Sequence, residues 1–338
     1  MNGVDAGRNV TAPLPWQATA WERVLQQLEG GKLPHALLLS GPEYGGKSRF
    51  ALALARLLLC KAPVDGLNCG HCHACDLSGS GNNGDLLWLA PEGKSRVIKI
   101  DAVRALVDFT NRTAGFGLRK VAVLCPAENM NASAANALLK SLEEPSAETY
   151  LILVSHRPHG LPATVRSRCQ MLRLGVPETA HALAWLQQFI PDRGRCEELL
   201  TLAGGRPLLA ETLQREEGAT RLLQLRQALQ ALLAGHPAGA EAVSKAVGGE
   251  PLEFALAQLA ETLQASIRGL EAQALTAPAG RAAFRLLDEI NRIRGAVAGG
   301  SNPNPQVLLE ALLARMQREL GDRGVGAKIL RDKQGVAP

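Results

Sequence analysis

Aromatic residues are scarce in this 338-residue chain, at 4% of the total. The core must therefore be built from leucine, alanine and valine, which favours helices. Long apolar runs are also missing, because no stretch approaches the roughly 20 residues that a transmembrane helix needs. The opening MNGVDAGRNV lacks the apolar segment of a signal peptide. We therefore expect a cytoplasmic protein with no membrane contact, whose seven cysteines do not form structural disulfides.

Charge of one sign does not dominate the chain, although the tail after Gly321 is basic. The formal net charge is +5, and the basic residues are scattered. Such a balance allows contact with nucleic acid but does not require it. The length predicts two or three domains.

A glycine-rich turn stands between a short apolar run and an apolar helix. It reads GPEYGGKS from Gly41 and matches G-x-x-x-x-G-K-[ST] in full. Gly41, Gly45 and Gly46 would let backbone N–H groups surround a phosphate chain at a helix N-terminus. Lys47 would reach the terminal phosphates, and Ser48 would offer its hydroxyl to Mg²⁺. The turn predicts binding of ATP or ADP with Mg²⁺; the alternative is that its glycines serve only helix–strand packing.

Strands and helices alternate over the first half of the chain, which predicts a parallel α/β sheet. The predicted strands are residues 36–40, 86–90, 120–124 and 150–155. The predicted helices are residues 16–28, 47–59, 102–111 (capped by Asp101) and 132–142. Residues 1–12 are predicted to be disordered.

Strand-like runs stop after Pro177, and the remaining pattern is helical. The predicted helices are residues 179–190, 196–202, 207–213, 252–270, 281–297 and 305–320. A further helix, from residue 221, is marked by a leucine stripe at helical spacing, with Gly218 as a break before it. The sequence therefore predicts an α/β part followed by an all-α part.

Four cysteines lie together in a loop that has few apolar residues. They are Cys60, Cys69, Cys72 and Cys75, in the spacing C-x8-C-x2-C-x2-C. Four thiolates suit a tetrahedral Zn²⁺, and a site closed by four ligands would be structural. His71 and His73 lie in the same loop, and either could replace one sulfur. The alternative is a set of free surface thiols.

Nucleotide hydrolysis needs acids beside the glycine turn, at the end of a neighbouring strand. One carboxylate holds the Mg²⁺ shell and a second polarises the attacking water. The candidate strand, residues 120–124, ends instead in Cys125-Pro126. Glu128 lies further on, so a bulge would be needed to bring it to the metal. We therefore predict a site that can bind phosphate without intrinsic ATPase activity.

Three motifs in this chain resemble those of bacterial clamp loader subunits, which belong to the AAA+ ATPases. The segment NALLKSLEEP, from Asn136 to Pro145, resembles their N-A-L-L-K-x-L-E-E-P signature, and Ser167-Arg168-Cys169 resembles their S-R-C motif. The four cysteines match the spacing of their zinc module. The resemblance covers residues 13–175. It implies an AAA+ domain at 1–175 with a zinc module at 60–75, a helical lid at 176–217 and a helical collar for oligomerisation at 218–338.

The resemblance also implies roles for single residues. Arg168 would be an arginine finger that acts in the nucleotide site of a neighbouring subunit, with Arg166 as the nearest competitor. Ser155 would stand at the first sensor position, and Arg206 would be the lid's sensor arginine. Taken without the resemblance, Arg168 is a surface arginine, Ser155 is a strand-end hydroxyl bonded to backbone, and Arg206 belongs to a simple loop.

The resulting hypothesis is a non-hydrolysing, stator-like subunit of a clamp loader. Its partners would be the ATPase (gamma/tau) subunits and the delta subunit in a hetero-oligomeric ring. Through that ring it would act on the sliding clamp and primed DNA, as part of a DNA-directed DNA polymerase holoenzyme that performs nucleotidyl transfer elsewhere.

Two other functions compete with this hypothesis. One is an active AAA+ motor subunit, or a related remodeller, which would need Glu128 near Mg²⁺. The other is a zinc-dependent nucleic-acid binder, which rests on the cysteine loop and the +5 charge. No basic or aromatic stripe surrounds that loop, so we rank the nucleic-acid binder last.

Overall fold

The computed structural model describes residues 9–91, 97–117, 119–215, 218–233, 236–248, 251–268, 272–298 and 301–321. The chain divides into two compact units, residues 1–212 and 213–338. The first contains a parallel β-sheet with helices, and the described part of the second is helical. The predicted combination of an α/β part and an all-α part is confirmed.

Five parallel strands form the sheet, in the spatial order β2-β3-β4-β1-β5. Their bounds are β1 Ala36–Ser40, β2 Leu86–Leu89, β3 Lys120–Leu124, β4 Thr149–Ser155 and β5 Gln170–Arg173. The predictions for β1 and β3 match to the residue, because each is a short apolar run buried along its whole length. In register, Ser40 of β1 pairs with Ser155 of β4, so these strands end side by side.

Helices cover both faces of the sheet. The helices of this part, among the described residues, are α1 Ala18–Glu29, α2 Lys47–Leu59, α3 His73–Gly79, α4 Ile100–Asn111, α5 Ala132–Glu143, α6 Ala163–Arg166, α7 Thr179–Leu186, α8 Arg193–Leu202 and α9 Pro207–Arg215. Leu37 and Leu39 pack in one core with Phe50 and Leu54 of α2. Leu38 points the other way, into a second core with residues of α4 and α5. This alternation follows from the period of two along a strand.

The start of the described chain is anchored rather than disordered. The backbone N–H of Thr11 donates to Asn68 Oδ1 at 2.8 Å, and Asn68 Nδ2 donates to the carbonyl of Asn9 at 2.8 Å. Arg56 of α2 hydrogen-bonds to the side chains of Asn9 and Thr11. The prediction of disorder is therefore wrong for residues 9–12, while residues 1–8 lie outside the described residues.

The second unit has its own apolar core. Its helices are α10 Gly218–Leu233, α11 Gly239–Ala246, α12 Leu252–Arg268, α13 Ala272–Thr276, α14 Pro278–Ala298 and α15 Pro305–Met316, which is followed by a π-helical turn, Gln317–Gly321. The predicted leucine stripe is buried; its members are Leu222, Leu225, Leu229 and Leu232. Asn304 caps α15 by accepting the N–H groups of Gln306 and Val307. Among the described helices, none combines the length and apolar character needed to cross a membrane.

One local prediction was wrong, and one strand was missed. Asp101 does not cap α4: the helix begins at Ile100 after the N-cap residue Lys99, and Asp101 lies in the first turn. Strand β5 was missed, because its sequence QMLR mixes polar and apolar residues at the sheet edge. The predicted break at Gly218 lies close to a helix boundary, since α9 ends at Arg215 and α10 begins at Gly218.

Candidate functional site

The glycine turn lies directly after β1, where the backbone leaves the sheet and enters α2. A Cβ atom at Gly41 would lie 1.9 Å from the carbonyl oxygen of Leu174. Gly46, the N-cap of α2, has a left-handed φ of 84°, and a Cβ there would lie 2.2 Å from Leu14 Cδ1. The approach of the Leu174 backbone at Gly41 and the left-handed φ at Gly46 both favour glycine, so local packing and conformation alone account for part of the motif. The turn still presents the α2 N-terminus, which favours anions.

Lys47 folds back onto the turn that precedes it. Its side chain is buried, and Nζ donates to the carbonyl oxygen of Pro42 at 2.5 Å. Burial lowers the pKa of Lys47 to about 8, and the negative charges of Glu128 and Glu43 partly oppose this shift. A phosphate in the turn would give this ammonium a charged partner in place of a carbonyl.

The hydroxyl of Ser48 faces a thiol. Ser48 Oγ lies 3.3 Å from Cys125 Sγ, immediately after β3. Burial raises the pKa of the Cys125 thiol, although Ser48 and Lys47 pull it down. A neutral thiol is a poor ligand for Mg²⁺, which prefers carboxylate oxygens. Pro126 follows, so the strand end carries a thiol and a ring where two acids were required.

Glu128 is the carboxylate nearest to this position along the chain. It lies in the 3-10 turn Ala127–Asn129, and its Oε1 accepts the backbone N–H groups of His156 at 2.9 Å and Arg157 at 3.2 Å. Its Oε2 is buried and finds no hydrogen-bond partner within the described part of the chain. Glu128 therefore ties the end of β3 to the end of β4, with one oxygen left over.

The end of β4 supplies two side chains. Ser155 is fully buried, and its Oγ accepts the N–H of Arg157 at 3.2 Å. This contact is the backbone-bonded arrangement that the sequence left open for Ser155. Burial and the charge of Lys47 both lower the pKa of the next residue, His156. His156 thus lies close enough to Lys47 to sense its charge, a proximity that the sequence analysis missed.

Trp16 connects the turn to the helices after residue 176. Its indole Nε1 donates to the carbonyl of Gly45 at 3.4 Å, and the neighbouring Gln17 donates to the same oxygen at 3.1 Å. The Trp16 ring meets Trp185 of α7 edge to face, with 5.5 Å between the ring centres. The sequence pattern predicted Trp16 only as the start of a first helix. A rearrangement of the turn would move this indole.

The four predicted cysteines converge in space. The ligand atoms of Cys60, Cys69, Cys72 and Cys75 all lie within 4.8 Å of one another. The separations of Cys60 Sγ from Cys72 Sγ (4.0 Å) and of Cys69 Sγ from Cys75 Sγ (3.9 Å) are close to the roughly 3.8 Å edge of a tetrahedron with 2.3 Å Zn–S bonds. The donor set therefore fits a tetrahedral, sulfur-preferring ion.

The two histidines of the cysteine loop are engaged elsewhere. His71 Nδ1 lies 2.9 Å from the carbonyl of Cys69, and the His73 ring packs against Phe116. The metal-compatible cluster found among the described residues contains the four thiols and neither histidine.

Arg168 lies in the turn between α6 and β5, and its side chain is 34% exposed. One guanidinium nitrogen, Nη2, forms an ion pair with Glu143 at the end of α5, and the other, Nη1, donates to the carbonyl of Thr164 at 2.9 Å. The competing Arg166 instead places Nη1 3.2 Å from His159 Nδ1, and its Nε is buried without a described partner.

Arg206 follows Gly204 and Gly205, both of which have left-handed φ values. Its Nε donates to the carbonyl of Ala203, the C-cap of α8, at 2.7 Å. Part of its guanidinium therefore closes the end of a helix.

Sequence reasoning located the turn, Cys125 and the thiol cluster, but it missed three participants: Trp16, His156 and Glu143. Glu143 belongs to the signature NALLKSLEEP, but the sequence did not indicate what its side chain does. No pattern of residue types linked Trp16 or His156 to the turn, because each is brought there by tertiary packing.

Comparison with known proteins identifies a matching family model and several relatives of this chain. The family model described as DNA polymerase III, delta subunit matches residues 16–178. A DNA polymerase III subunit delta' from Pseudomonas aeruginosa is 42% identical over 231 residues, which cover 66% of this chain and 69% of that protein. The subunit of the same name from Escherichia coli is 38% identical over 174 residues, covering 52% of each chain.

The fold has a solved counterpart. A DNA polymerase III gamma subunit-related protein from Thermotoga maritima superimposes with a TM-score of 0.50 at 20% identity, covering 88% of this chain and 99% of that one. At this identity the likeness concerns the fold alone. On the strength of its identity to the Pseudomonas protein, the chain belongs to the family of DNA polymerase III delta' subunits.

Proposed function

We propose that this chain is a non-hydrolysing, stator-like subunit of a clamp loader. The observation that carries the proposal is the approach of Ser48 Oγ to Cys125 Sγ, at 3.3 Å. A chain that hydrolyses ATP needs an acid there to hold the Mg²⁺ shell. With Cys125 and Pro126 in that place, the turn binds nucleotide phosphates through Lys47 and the α2 N-terminus but does not turn nucleotide over.

The chain's contribution to chemistry is then Arg168, acting in trans. Its side chain is only partly covered, so it can reach into the nucleotide site of an adjacent ATPase subunit. There it stabilises charge on the γ-phosphate, an effect worth roughly 10³–10⁵ in rate. Ser155 and Arg206 are proposed as the sensor residues of this chain's own pocket. When Mg²⁺–ATP or Mg²⁺–ADP is bound, the metal would neutralise phosphate charge beside Ser48.

The assembly is a hetero-oligomeric ring with the gamma/tau ATPase subunits and the delta subunit, acting in the cytoplasm on the sliding clamp and primed DNA. The proposed division is an AAA+ domain at 1–175, a lid at 176–217 and a collar at 218–338, the collar holding the ring together. The four cysteines hold one structural Zn²⁺, since their sulfur geometry fits a tetrahedron.

Two measurements test the proposal. The purified chain should show no ATPase activity above that of its Lys47→Ala variant, which reports contaminating enzymes. In a ring reconstituted with the other subunits, Arg168→Ala should lower DNA-stimulated ATP hydrolysis at the adjoining site at least a hundredfold, whereas Arg166→Ala should not. Turnover by the isolated chain, or full activity with Arg168→Ala, would refute it.

An active motor remains the second candidate, because Glu128 Oε2 is buried without a described partner and its charge acts on Lys47. If this candidate were correct, the isolated chain would hydrolyse ATP and Glu128→Gln would abolish that activity.

A further inference from the structure

Two groups from different parts of the chain hold the Arg168 guanidinium. Glu143 ends α5 and pairs with Nη2, while the Thr164 carbonyl lies in α6 and accepts from Nη1. A guanidinium carries five N–H donors in one plane. Two of them are fixed by these contacts, which leaves three for another acceptor and restricts the direction in which they point.

The ion pair adds little to the stability of the fold. The side chains of Arg168 and Glu143 are 34% and 49% exposed, and pairs of this kind are screened by solvent. The contact also spans 25 positions of sequence, so it is not a local helix pair. Its main physical consequence is that it orders a long, flexible side chain on the surface before any partner arrives.

Ordering of this kind matters where charge develops during a reaction. A donor that is already oriented needs no reorganisation when the transition state forms, and a misplacement of about 1 Å can reduce a rate a hundredfold. We propose that Glu143 is the positioning residue of Arg168: it holds the guanidinium so that its remaining N–H groups face the γ-phosphate of the adjacent subunit. This inference rests on the proposed function of Arg168 in trans.

The following residue supplies a matched control. Glu144 has the same side chain and is exposed, and it lies just past the end of α5 as its C-cap residue. A change at Glu144 therefore alters net charge and the local signature by the same amount as a change at Glu143, without touching the ion pair with Arg168.

The experiment uses the reconstituted ring with primed DNA and clamp, and measures kcat and KM for ATP. Glu143→Gln should lower kcat about tenfold with KM changed less than twofold, as expected for lost orientation of a transition-state contact. Glu144→Gln should leave both constants within twofold. The Glu143→Gln/Arg168→Ala double variant should be no slower than Arg168→Ala alone, because Glu143 acts only through Arg168.

The outcomes distinguish a failure of the positioning role of Glu143 from a failure of the proposed function of Arg168. If Arg168→Ala lowers kcat and Glu143→Gln does not, the positioning role is wrong and the proposed function stands. If Arg168→Ala has no effect, the proposed function itself is wrong. If Glu143→Gln does not assemble, Glu143→Asp decides, since it keeps the charge but draws the carboxylate back: a ring with unchanged kcat would make Glu143 a structural residue and overturn the proposal, and a lowered kcat at unchanged KM would support it.

Discussion

The hydroxyl oxygen of Ser48 lies 3.3 Å from the sulfur of Cys125, so a residue of the glycine turn and the residue after β3 are already in contact. The strand end is therefore in the right place for a metal-holding acid, and only the side chain is unsuitable. Under the proposed function, this relationship separates the ability to bind a nucleotide from the ability to hydrolyse one, and a single substitution tests it.

Cys125→Asp should give the turn a Mg²⁺-dependent gain in ATP affinity of about tenfold, equivalent to about 1.4 kcal/mol, because a carboxylate can hold the Mg²⁺ shell beside Ser48. Calorimetry with and without Mg²⁺ measures the gain, and Cys125→Asn is the uncharged control. ATP hydrolysis should stay absent, since Pro126 still replaces the second acid. Equal affinities for the Asp and Asn variants would contradict the assignment.

Nucleotide affinity without Mg²⁺ should fall as the pH rises above about 8. Burial lowers the pKa of Lys47 from 10.5 to about 8, whereas a bound phosphate stabilises the ammonium and raises it again. Binding then takes up one proton above pH 8, and the dissociation constant rises by up to about tenfold per pH unit. The measurement is calorimetry in EDTA from pH 7 to 9.5.

Lys47→Met is the control for this titration: the variant should bind nucleotide weakly at every pH, with no dependence of affinity on pH. An affinity of the wild-type chain that does not change with pH would exclude a phosphate contact by Lys47.

The lowered pKa of Lys47 also predicts a change in the stability of the free chain. Because the unfolded chain binds the extra proton between pH 8 and 10.5, this group makes the free energy of unfolding rise with pH across that window.

Intrinsic fluorescence should report occupancy of the turn. Trp16 donates to Gly45 and packs edge to face against Trp185, so phosphate entry should change its environment. Titration with ADP should give a saturable change in emission that Trp16→Phe removes. Trp88→Phe should retain it, because Trp88 is an exposed residue of the edge strand β2. A response that survives in Trp16→Phe would place the moving indole elsewhere.

Zinc content should depend on the thiol cluster. About one Zn²⁺ per chain is expected for four-thiolate coordination, and Cys72→Ser should lose most of it. Since structural zinc contributes directly to folding, this variant and chelator treatment should both lower the melting temperature of the first unit. Cys196→Ala changes a buried cysteine of α8 outside the cluster and should keep its metal. Retention of full zinc by Cys72→Ser would rule out a four-thiolate site.

Asp85 should be a strong determinant of stability. It is buried, and its carboxylate accepts three backbone N–H groups from residues 115–117 at 2.7, 2.7 and 3.0 Å. Asp85→Ala leaves those donors without their acceptor and should cost about 3 kcal/mol. Urea unfolding followed by tryptophan emission is suitable, because all four tryptophans lie in the first unit.

Asp101→Ala is the control for Asp85→Ala. The Asp101 side chain is 84% exposed and meets only Arg104, at 3.4 Å, among the ion pairs of the described chain. Its replacement should change the free energy of unfolding by about 0.5 kcal/mol or less. A large loss of stability in Asp101→Ala would indicate that Asp101 does cap α4, contrary to the structure.

Local sequence pattern was enough to predict the central strands and the glycine turn. β1 and β3 are continuous apolar runs, and the turn's residue spacing dictates its backbone path. Strand β5 escaped detection because an edge strand need not be apolar throughout. Helix α3 escaped because its buried side chains are Ala74, Cys75 and Ser78, which give no apolar period.

The candidate site likewise contains residues that local sequence pattern predicts and contacts that only the structure reveals. Cys125 was found because it directly follows a predicted strand that ends beside the turn. The contact between Glu143 and Arg168 was not, because it joins residues 25 positions apart through the packing of α5 against α6. Contacts that depend on how two elements pack cannot be derived from the periodicity of either element alone.

Helix α2 begins with Lys47 and ends at Leu59, one residue before Cys60. Its 13 residues place the glycine turn and the thiol cluster at opposite ends of a helix about 20 Å long. A substitution in the cysteine loop therefore acts first at the C-terminal end of α2, about 20 Å from the glycine turn.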